Sequence, residues 1–551
     1  MNMWTHRHSP GWVLLALLFV FLTLGSTSQI QTPILRAVTA PPPGPDRYTS
    51  VVIEYTEYVW WLVEWRKDKI ACRIAIPHEG QPTLDEVYTE CEEEVADTWA
   101  VQAPCPQETL KQNPAQCEGY YIFLAGTHTR KKEIPVVLPP PEVKLSLENC
   151  VYLTEANTAF CEDRPKLVLT GFEPLPNEQI VAIEGSLNGK AFSCGPDCKL
   201  DLPDTNKTGI PVEFWAYSSY GDSSQAFTAQ VRVLPSDYNN PEEPSWYVDV
   251  RSTQWVGGPK ASCAETWEVF PPPGGPPAWL TTPRTVEGLQ SSRPYAYLAA
   301  QLIKQGMVDT SQCAHKGLLA NGGADACGLE TARPLVLEWQ NRFDRLILET
   351  AQETGVPARL LKNLFARESQ FWPSVLVNTN EFGLGQLTED GAETALLWNP
   401  SFYKSFCPLV FTKEYCARGY LRLDEDDKRL LRLALLNNAN AFCAECPLGL
   451  DMSSADVSVE MFAQTLLANC EQTGQVILNA SGLAPGEAAE YVDLWKFTLA
   501  NYNAGPACLY RAIQQTVGSQ SLPLTWEKVS VNLEPACRGA IQYVKDISQE
   551  K

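Results

Sequence analysis

The sequence predicts a multidomain protein in which two β-rich modules precede a mainly α-helical domain. A chain of 551 residues is longer than a domain with a single hydrophobic core usually is, so we expect two to four domains. Residues 49–235 contain short alternating runs that are rich in β-branched and aromatic residues and are separated by turn residues. From residue 293 onward, apolar residues recur at three- and four-residue spacing, which is typical of helices packed on a core.

The β-rich part divides into two modules at proline-rich boundaries. Residues 49–137 begin with the run VVIEYTEYVWWLVEW and end before Pro139, Pro140 and Pro141. Residues 142–235 carry strand-like runs at regular spacing, a pattern that favours an immunoglobulin-like or fibronectin-like sandwich. Residues 236–292 form a Pro/Gly-rich linker whose tryptophans we expect to pack on neighbouring parts, with sugar binding as the alternative. These tryptophans are Trp246, Trp255, Trp267 and Trp279.

Residues 1–28 are predicted to be a signal peptide or signal anchor. A short basic start containing Arg7 precedes the apolar run Trp12 to Leu24, and small residues follow. Because the run is shorter than the ~20 residues of a typical membrane helix, cleavage is favoured and membrane anchoring is the alternative. Residues 29–48 form a stiff Pro-rich linker. We therefore expect an extracytoplasmic protein, either secreted or anchored to the cytoplasmic membrane, at the cell envelope.

Charge and cysteine content narrow the function classes. The net charge of −22 argues against nucleic-acid binding, because phosphate backbones require a basic surface. Eighteen cysteines and five histidines favour disulfide bonds over zinc sites. Cys443 and Cys446 have the spacing of a redox or metal pair, but we expect each to bond to a different partner. The last histidine is His315, so the helical domain alone cannot build a His-dependent triad or a His-ligated zinc site. We expect neither a metal nor an organic cofactor.

The main candidate for catalysis is Glu368. Pro357 suits the first helical position, and no breaker follows until Pro373, which predicts a helix over this stretch. Glu368 lies four residues after Leu364 and therefore projects from the apolar face. The opposite, charged face carries Arg359, Lys362 and Arg367. Lost solvation should raise the pKa of Glu368, as a general acid requires; the alternative is a frayed helix end paired with Lys362 or Arg367.

Two further motifs follow this helix. Gly383–Gln386 form a tight turn of small residues, and LANYNAGP (499–506) ends a probable helix. Together with Glu368, Ser369, Phe371 and Pro373, they resemble the signature of the lytic transglycosylase and goose-type lysozyme superfamily. That signature reads Glu-Ser, then Phe and Pro two residues apart, then Gly-Leu-Met-Gln, and later Ala-x-Tyr-Asn-x-Gly-Pro.

The resemblance covers about residues 330–548 and has departures. Gly385 stands where the superfamily has Met, and Asn380-Glu381 replace its usual Gly-Ala. It implies that residues 293–548 form a lysozyme-like domain that acts on peptidoglycan glycan strands. The implied activity breaks the MurNAc–GlcNAc bond with one glutamate and forms 1,6-anhydro-MurNAc.

The resemblance also implies roles for single residues. Glu368 would be the acid and base, with Tyr502 near its carboxyl as a second catalytic residue. The implied substrate-binding residues are Ser369, Gln386 and Asn503.

Other functions remain open from the sequence. A second carboxylate would make the protein a water-using goose-type lysozyme; the candidates are Glu381, Glu389, Asp390 and Glu393. The fold could also hold glycan without cutting it, as a cell-envelope binding protein or a scaffold. In each case, the β-rich modules are candidates for contact with an envelope protein.

Overall fold

A computed structural model describes residues 47–153, 158–236, 245–256, 262–373, 380–519 and 522–549. The predicted signal segment and nearly all of the first linker lie outside these residues. Within them, an N-terminal region of antiparallel β-sheets precedes a helical C-terminal region, which confirms the coarse layout. In these same ranges, no helix is both long and apolar enough to cross a membrane.

The first sheet has three antiparallel strands in the order β2-β1-β3. Its elements are β1 (Tyr48–Glu64), β2 (Lys69–Ile76), α1 (Leu84–Glu90), α2 (Glu93–Val101), α3 (Gln107–Gln112) and β3 (Tyr120–Val137). Strand β2 pairs with β1 only from Tyr58 to Glu64, so the rest of β1 and β3 forms a two-stranded ribbon. Two disulfide bonds, Cys72–Cys91 and Cys105–Cys117, fasten this module.

The second sheet contains eight antiparallel strands. They are β4 (Glu142–Leu153), β5 (Thr158–Phe172), β6 (Ile180–Leu187), β7 (Lys190–Cys194), β8 (Asp197–Asp201), β9 (Ile210–Ser218), β10 (Phe227–Pro235) and β11 (Trp246–Arg251). The order is β4-β5-β11-β10-β9-β6-β7, and β8 also pairs with β5. Strand β11 lies within the stretch that the sequence assigns to the second linker. Its alternation buries Trp246 and Val248 against the other strands.

A buried ion pair fixes the base of the ribbon to the second sheet. Arg47 is 7% exposed and donates two hydrogen bonds of 2.8–2.9 Å to the carboxylate of Glu173. It also donates to both carboxylate oxygens of Asp222. These bonds, to Glu173 first and Asp222 second, raise the pKa of Arg47 above its already high value. Removal of one partner from such a buried ion pair strongly destabilises the folded protein, because it leaves an uncompensated buried charge.

The second linker packs its aromatic side chains into neighbouring cores. Trp246, Trp267 and Trp279 are each less than 10% exposed. The Trp267 indole N–H donates to the Cys470 carbonyl over 3.0 Å, and the Cys263–Cys470 disulfide lies beside it. Burial rules out sugar binding by these three tryptophans and agrees with packing on neighbours.

The helical region is built around one long helix, α13. Its helices are α4 (Ser262–Thr266), α5 (Ala296–Lys304), α6 (Ala326–Asn341), α7 (Asp344–Thr354), α8 (Ala358–Glu368), α9 (Glu389–Trp398), α10 (Pro400–Phe406), α11 (Lys413–Cys416), α12 (Glu425–Ala439), α13 (Met452–Ser481), α14 (Pro485–Ala488), α15 (Tyr491–Ala504), α16 (Pro506–Gly518), α17 (Trp526–Ser530) and α18 (Gly539–Gln549). Helices α7, α9, α12, α15 and α16 all pack on α13. Small side chains such as Ala463, Ala468 and Gly474 are buried along α13 and permit this close approach.

All eighteen cysteines form disulfides, which indicates an oxidising, extracytoplasmic environment. The expectation of separate partners for Cys443 and Cys446 is wrong, because they bond to each other. A tight turn brings them together: the Cys446 N–H donates to the Cys443 carbonyl over 3.1 Å.

Helix α8 forms where the sequence predicts it, with Pro357 directly before its first residue. Its apolar face is fully buried, including Leu361 and Leu364. The placement of Lys362 on a charged surface is wrong. Its ammonium group is buried and donates to Asp344 Oδ1 over 2.6 Å, to Asn341 Oδ1 over 2.7 Å and to the Leu289 carbonyl over 2.6 Å. A lysine can be buried here because all three N–H groups have acceptors.

The Arg47 ion pair gives a testable stability prediction. Arg47→Met leaves two buried carboxylates without their cation, and we expect the free energy of unfolding to fall by about 3 kcal/mol. Arg66→Met is the matched control, because the exposed Arg66–Glu118 pair should contribute less than about 1 kcal/mol. Urea titrations of the disulfide-intact proteins measure both. Equal effects of the two substitutions would contradict a structural role for the buried pair.

Candidate active site

A cleft of about 600 Å³ lies at the C-terminal end of α8. Its walls come from the turn before α9, from α9 itself, and from α13 and α15. Four of the five side chains singled out from the sequence line this cleft: Glu368, Gln386, Tyr502 and Asn503. The fifth, Ser369, is buried, and its hydroxyl donates to the Phe365 carbonyl over 3.3 Å. Ser369 is therefore placed to support the helix end rather than to meet a ligand.

The carboxyl group of Glu368 is half-buried at the wall of the cleft. Burial raises its pKa to about 7, the Tyr543 hydrogen bond and the charge of Arg367 oppose this rise, and the charge of Glu381 adds to it. The alternative pairing with a helix cation is not formed: Arg367 pairs with Asp546 over 3.0 Å, and Lys362 pairs with Asp344. Near neutral pH, Glu368 is thus divided between its protonated and ionised forms, as an acid that must also act as a base requires.

Tyr543 is a functional residue that sequence reasoning missed. It lies on α18, is 2% exposed, and donates its hydroxyl hydrogen to Glu368 Oε1. Burial raises its pKa well above the usual value, as do the charge of Glu368 and its hydrogen bond, so Tyr543 remains a donor. The helical spacing in the sequence could have indicated Tyr543, because it lies on the buried face of α18 with Ala540, Val544 and Ile547. A buried tyrosine in an aliphatic stripe requires a partner for its hydroxyl.

The turn that follows α8 is held in an unusual backbone conformation. Asn380 and Gln386 have φ values of 52° and 55°, in the left-handed region that non-glycine residues rarely occupy. Phe382 and Leu387 close the turn with two backbone hydrogen bonds of 2.8 and 3.0 Å. The Gln386 amide donates to the Gly383 carbonyl over 2.7 Å, which holds the side chain at the cleft wall. Strain of this kind persists where the surroundings impose it, often at functional sites.

Gly385 explains one departure from the superfamily signature. A Cβ atom at this position would lie 2.4 Å from Cδ1 of Phe462, so the phenyl ring of α13 occupies the space that a side chain would need. The Gly385 carbonyl accepts a 2.7 Å hydrogen bond from the Tyr502 hydroxyl. Tyr502 therefore supports the turn, whereas the hydroxyl that bonds to Glu368 belongs to Tyr543.

Amide side chains form one wall of the cleft. The Asn501 Nδ2 group donates to Asn469 Oδ1 over 3.0 Å and to Gln472 Oε1 over 2.9 Å. All three residues line the cleft and connect α13 to α15. Exposed Asn503 lies beside them. Neutral donors and acceptors in this number suit a ligand with many hydroxyl and amide groups.

Another part of the cleft lining is acidic. Glu381, Asp390 and Glu393 line the cleft together with Glu368, and the described residues that line it include no lysine, arginine or histidine. Outside the cleft, Arg432 pairs with Glu389 over 3.0 Å and with Glu393 over 3.6 Å. Within the described part of the chain, Glu381 and Asp390 form no ion pair of this kind.

No protein-family model, no curated protein and no solved structure matches this chain.

Tyr543→Phe tests the control of the Glu368 pKa. The hydrogen bond from Tyr543 favours the ionised carboxylate, so its loss should raise the pKa above about 7. If the protonated form is the active acid, the alkaline limb of the pH–rate profile should move to higher pH. Tyr88→Phe is the matched control, because it removes a 2.8 Å tyrosine–carboxylate bond to Asp97 far from the cleft. A profile for Tyr543→Phe that is unmoved, or moved to lower pH, would contradict the assignment.

The contact between Gly385 and Phe462 can be tested by a double-mutant cycle. Gly385→Met should destabilise the protein because its side chain meets the Phe462 ring. Phe462→Ala alone should cost about 3–5 kcal/mol through the cavity that it leaves. In the double variant the methionine fills this cavity, so the combined loss of unfolding free energy should be smaller than the sum by about 1–3 kcal/mol. If the losses of unfolding free energy measured in urea titrations were strictly additive, the methionine would not be filling the space left by the Phe462 ring, and the prediction would be wrong.

Proposed function

We propose that this protein is a peptidoglycan lytic transglycosylase that breaks the MurNAc–GlcNAc bond. The observation that carries the proposal is the carboxyl group of Glu368, which has a pKa of about 7 at the wall of a cleft large enough for sugar units. The two sequence motifs that resemble the superfamily contribute residues to this same cleft, which supports the proposal.

The proposed reaction needs one carboxyl group. Protonated Glu368 gives its proton to the glycosidic oxygen, the bond to the anomeric carbon breaks, and the acetamido oxygen of the same sugar attacks that carbon. The resulting Glu368 carboxylate then takes the proton of the sugar's 6-hydroxyl. That oxygen forms the bond to the anomeric carbon and releases the acetamido group, which gives the 1,6-anhydro product and consumes no water.

The neighbours of Glu368 have distinct tasks in this proposal. Tyr543 holds the carboxyl group by its hydrogen bond and stabilises the ionised form between the two proton transfers. Tyr502 positions the turn through the Gly385 carbonyl. Gln386 and Asn503 are proposed to contact the sugar or its acetamido group, because both line the cleft.

A second candidate function is hydrolysis by a goose-type lysozyme mechanism. The observation that favours it is Glu381, which lines the same cleft and whose charge raises the pKa of Glu368. A carboxylate there could activate a water molecule on the sugar face opposite the acid. A cell-envelope protein that binds glycan without cutting it is the alternative from another class.

We further propose the finer fold and location that the sequence suggests. The eight-stranded region is proposed to be an immunoglobulin-like sandwich that contacts another envelope protein, and the helical region to be lysozyme-like. The protein is proposed to act at the cell envelope, and the disulfide content supports an extracytoplasmic site.

Digestion of purified peptidoglycan, followed by mass spectrometry of the fragments, tests the function. We expect fragments that end in 1,6-anhydro sugars from the wild type and none from Glu368→Gln. The variant should remain folded and gain stability relative to the wild type as the pH rises from about 4.5 to about 7, because burial disfavours the carboxylate that the unfolded wild type forms over this range. Reducing-end fragments would mean hydrolysis. Absence of fragments from the wild type would reject both enzyme assignments.

A further inference from the structure

A second cavity of about 400 Å³ lies next to the catalytic helix end and has the opposite charge to the cleft. Its lining residues include the cations Arg293, Arg367 and Lys545 and one carboxyl group, that of Asp546. Arg367 directly precedes Glu368 in the chain, so consecutive residues of α8 contribute to the two cavities. We call this cavity the basic pocket.

The basic pocket is held in place by defined contacts. The Arg367 guanidinium pairs with Asp546 over 3.0 Å and lies 5.6 Å from the centre of the Tyr543 ring. Gln370 also lines the pocket, with a φ of 47°, and its side-chain oxygen accepts a 2.8 Å hydrogen bond from the Tyr297 N–H. This hydrogen bond holds Gln370, whose backbone is strained, at the wall of the pocket.

The charges of the two cavities favour different ligand groups. Among the described residues, the cleft is lined by four carboxyl groups and no cation, so an anionic group on a bound ligand is repelled from it. The described lining of the basic pocket has three cations and one carboxylate, which pairs with Arg367, in a chain whose net charge is −22. Guanidinium groups bind carboxylates with two parallel hydrogen bonds, which makes arginine pockets selective for this group.

We propose that the basic pocket binds a carboxylate of the peptide attached to the glycan strand. The inference rests on the proposed function, because it assumes a peptidoglycan strand in the neighbouring cleft. A peptide carboxylate seated beside Arg293 and Lys545, together with a neutral sugar in the cleft, would fix the direction in which the strand lies across Glu368. Strands that carry peptides would then be preferred over strands from which the peptides have been removed.

Binding measurements on Glu368→Gln protein test this preference without requiring turnover. Isothermal titration calorimetry would compare glycan fragments of equal length with and without their peptides. We expect the peptide-bearing fragment to bind about tenfold more tightly, as one added charge-assisted contact provides. The substitutions Arg293→Ala and Lys545→Ala, made together in the same protein, should remove this difference. Lys404→Ala, an exposed lysine on α10, is the control and should leave it unchanged.

The outcomes separate this inference from the proposed enzyme activity. Equal affinity for the two fragments, or a preference that survives the double substitution, would overturn the inference. Titration with inorganic phosphate serves as a further arm. Phosphate binding that is lost in the double variant, without any preference for peptide-bearing fragments, would assign the pocket to free anions and also overturn it. A preference that is measured although the wild type cuts no glycan would reject the enzyme and leave the pocket assignment intact.

Discussion

The partial burial of the Glu368 carboxyl group is the constraint on which the proposed chemistry depends. A carboxyl group in water would be ionised near neutral pH and could not protonate a leaving oxygen. Here, burial at the end of α8 raises the pKa to about 7, and the Tyr543 hydroxyl limits the rise. Tyr543 comes from the last helix, so α18 must dock on α8 before the acid has its proper environment. The ionisation of Glu368 and the packing of the helical core are therefore linked.

The same core shapes the turn beside the acid. Phe462 of the central helix fills the space next to Gly385, and Tyr502 holds the carbonyl of that glycine. The two cations of α8 nearest to Glu368 in the sequence have other partners, because Lys362 pairs with Asp344 and Arg367 pairs with Asp546. The hydrogen-bond partner of the Glu368 carboxyl group is therefore a tyrosine rather than a cation.

Local patterns predicted the order of the regions, the start of α8 and the placement of Glu368 on its apolar face, because helical spacing acts over short distances. The resemblance to the superfamily supplied the other three cleft residues, Gln386, Tyr502 and Asn503. Tyr543 was missed, since its partner lies 175 residues away in the chain. Lys362 was misplaced because its three acceptors come from other parts of the chain. The Cys443–Cys446 bond was missed because the geometry of one turn decided it. Strand β11 forms in a stretch read as linker because pairing with β5 and β10 outweighs the local composition.

The most direct test of this account is a titration of the Glu368 carboxyl group itself. Carbon-13 NMR of protein labelled at the glutamate side-chain carboxyl, with Glu368→Gln used to assign the signal, would follow its ionisation. The account predicts a midpoint near pH 7, in keeping with a desolvated general acid. A midpoint near the ordinary glutamate value of about 4.3 would show a solvated carboxylate and contradict the proposed role.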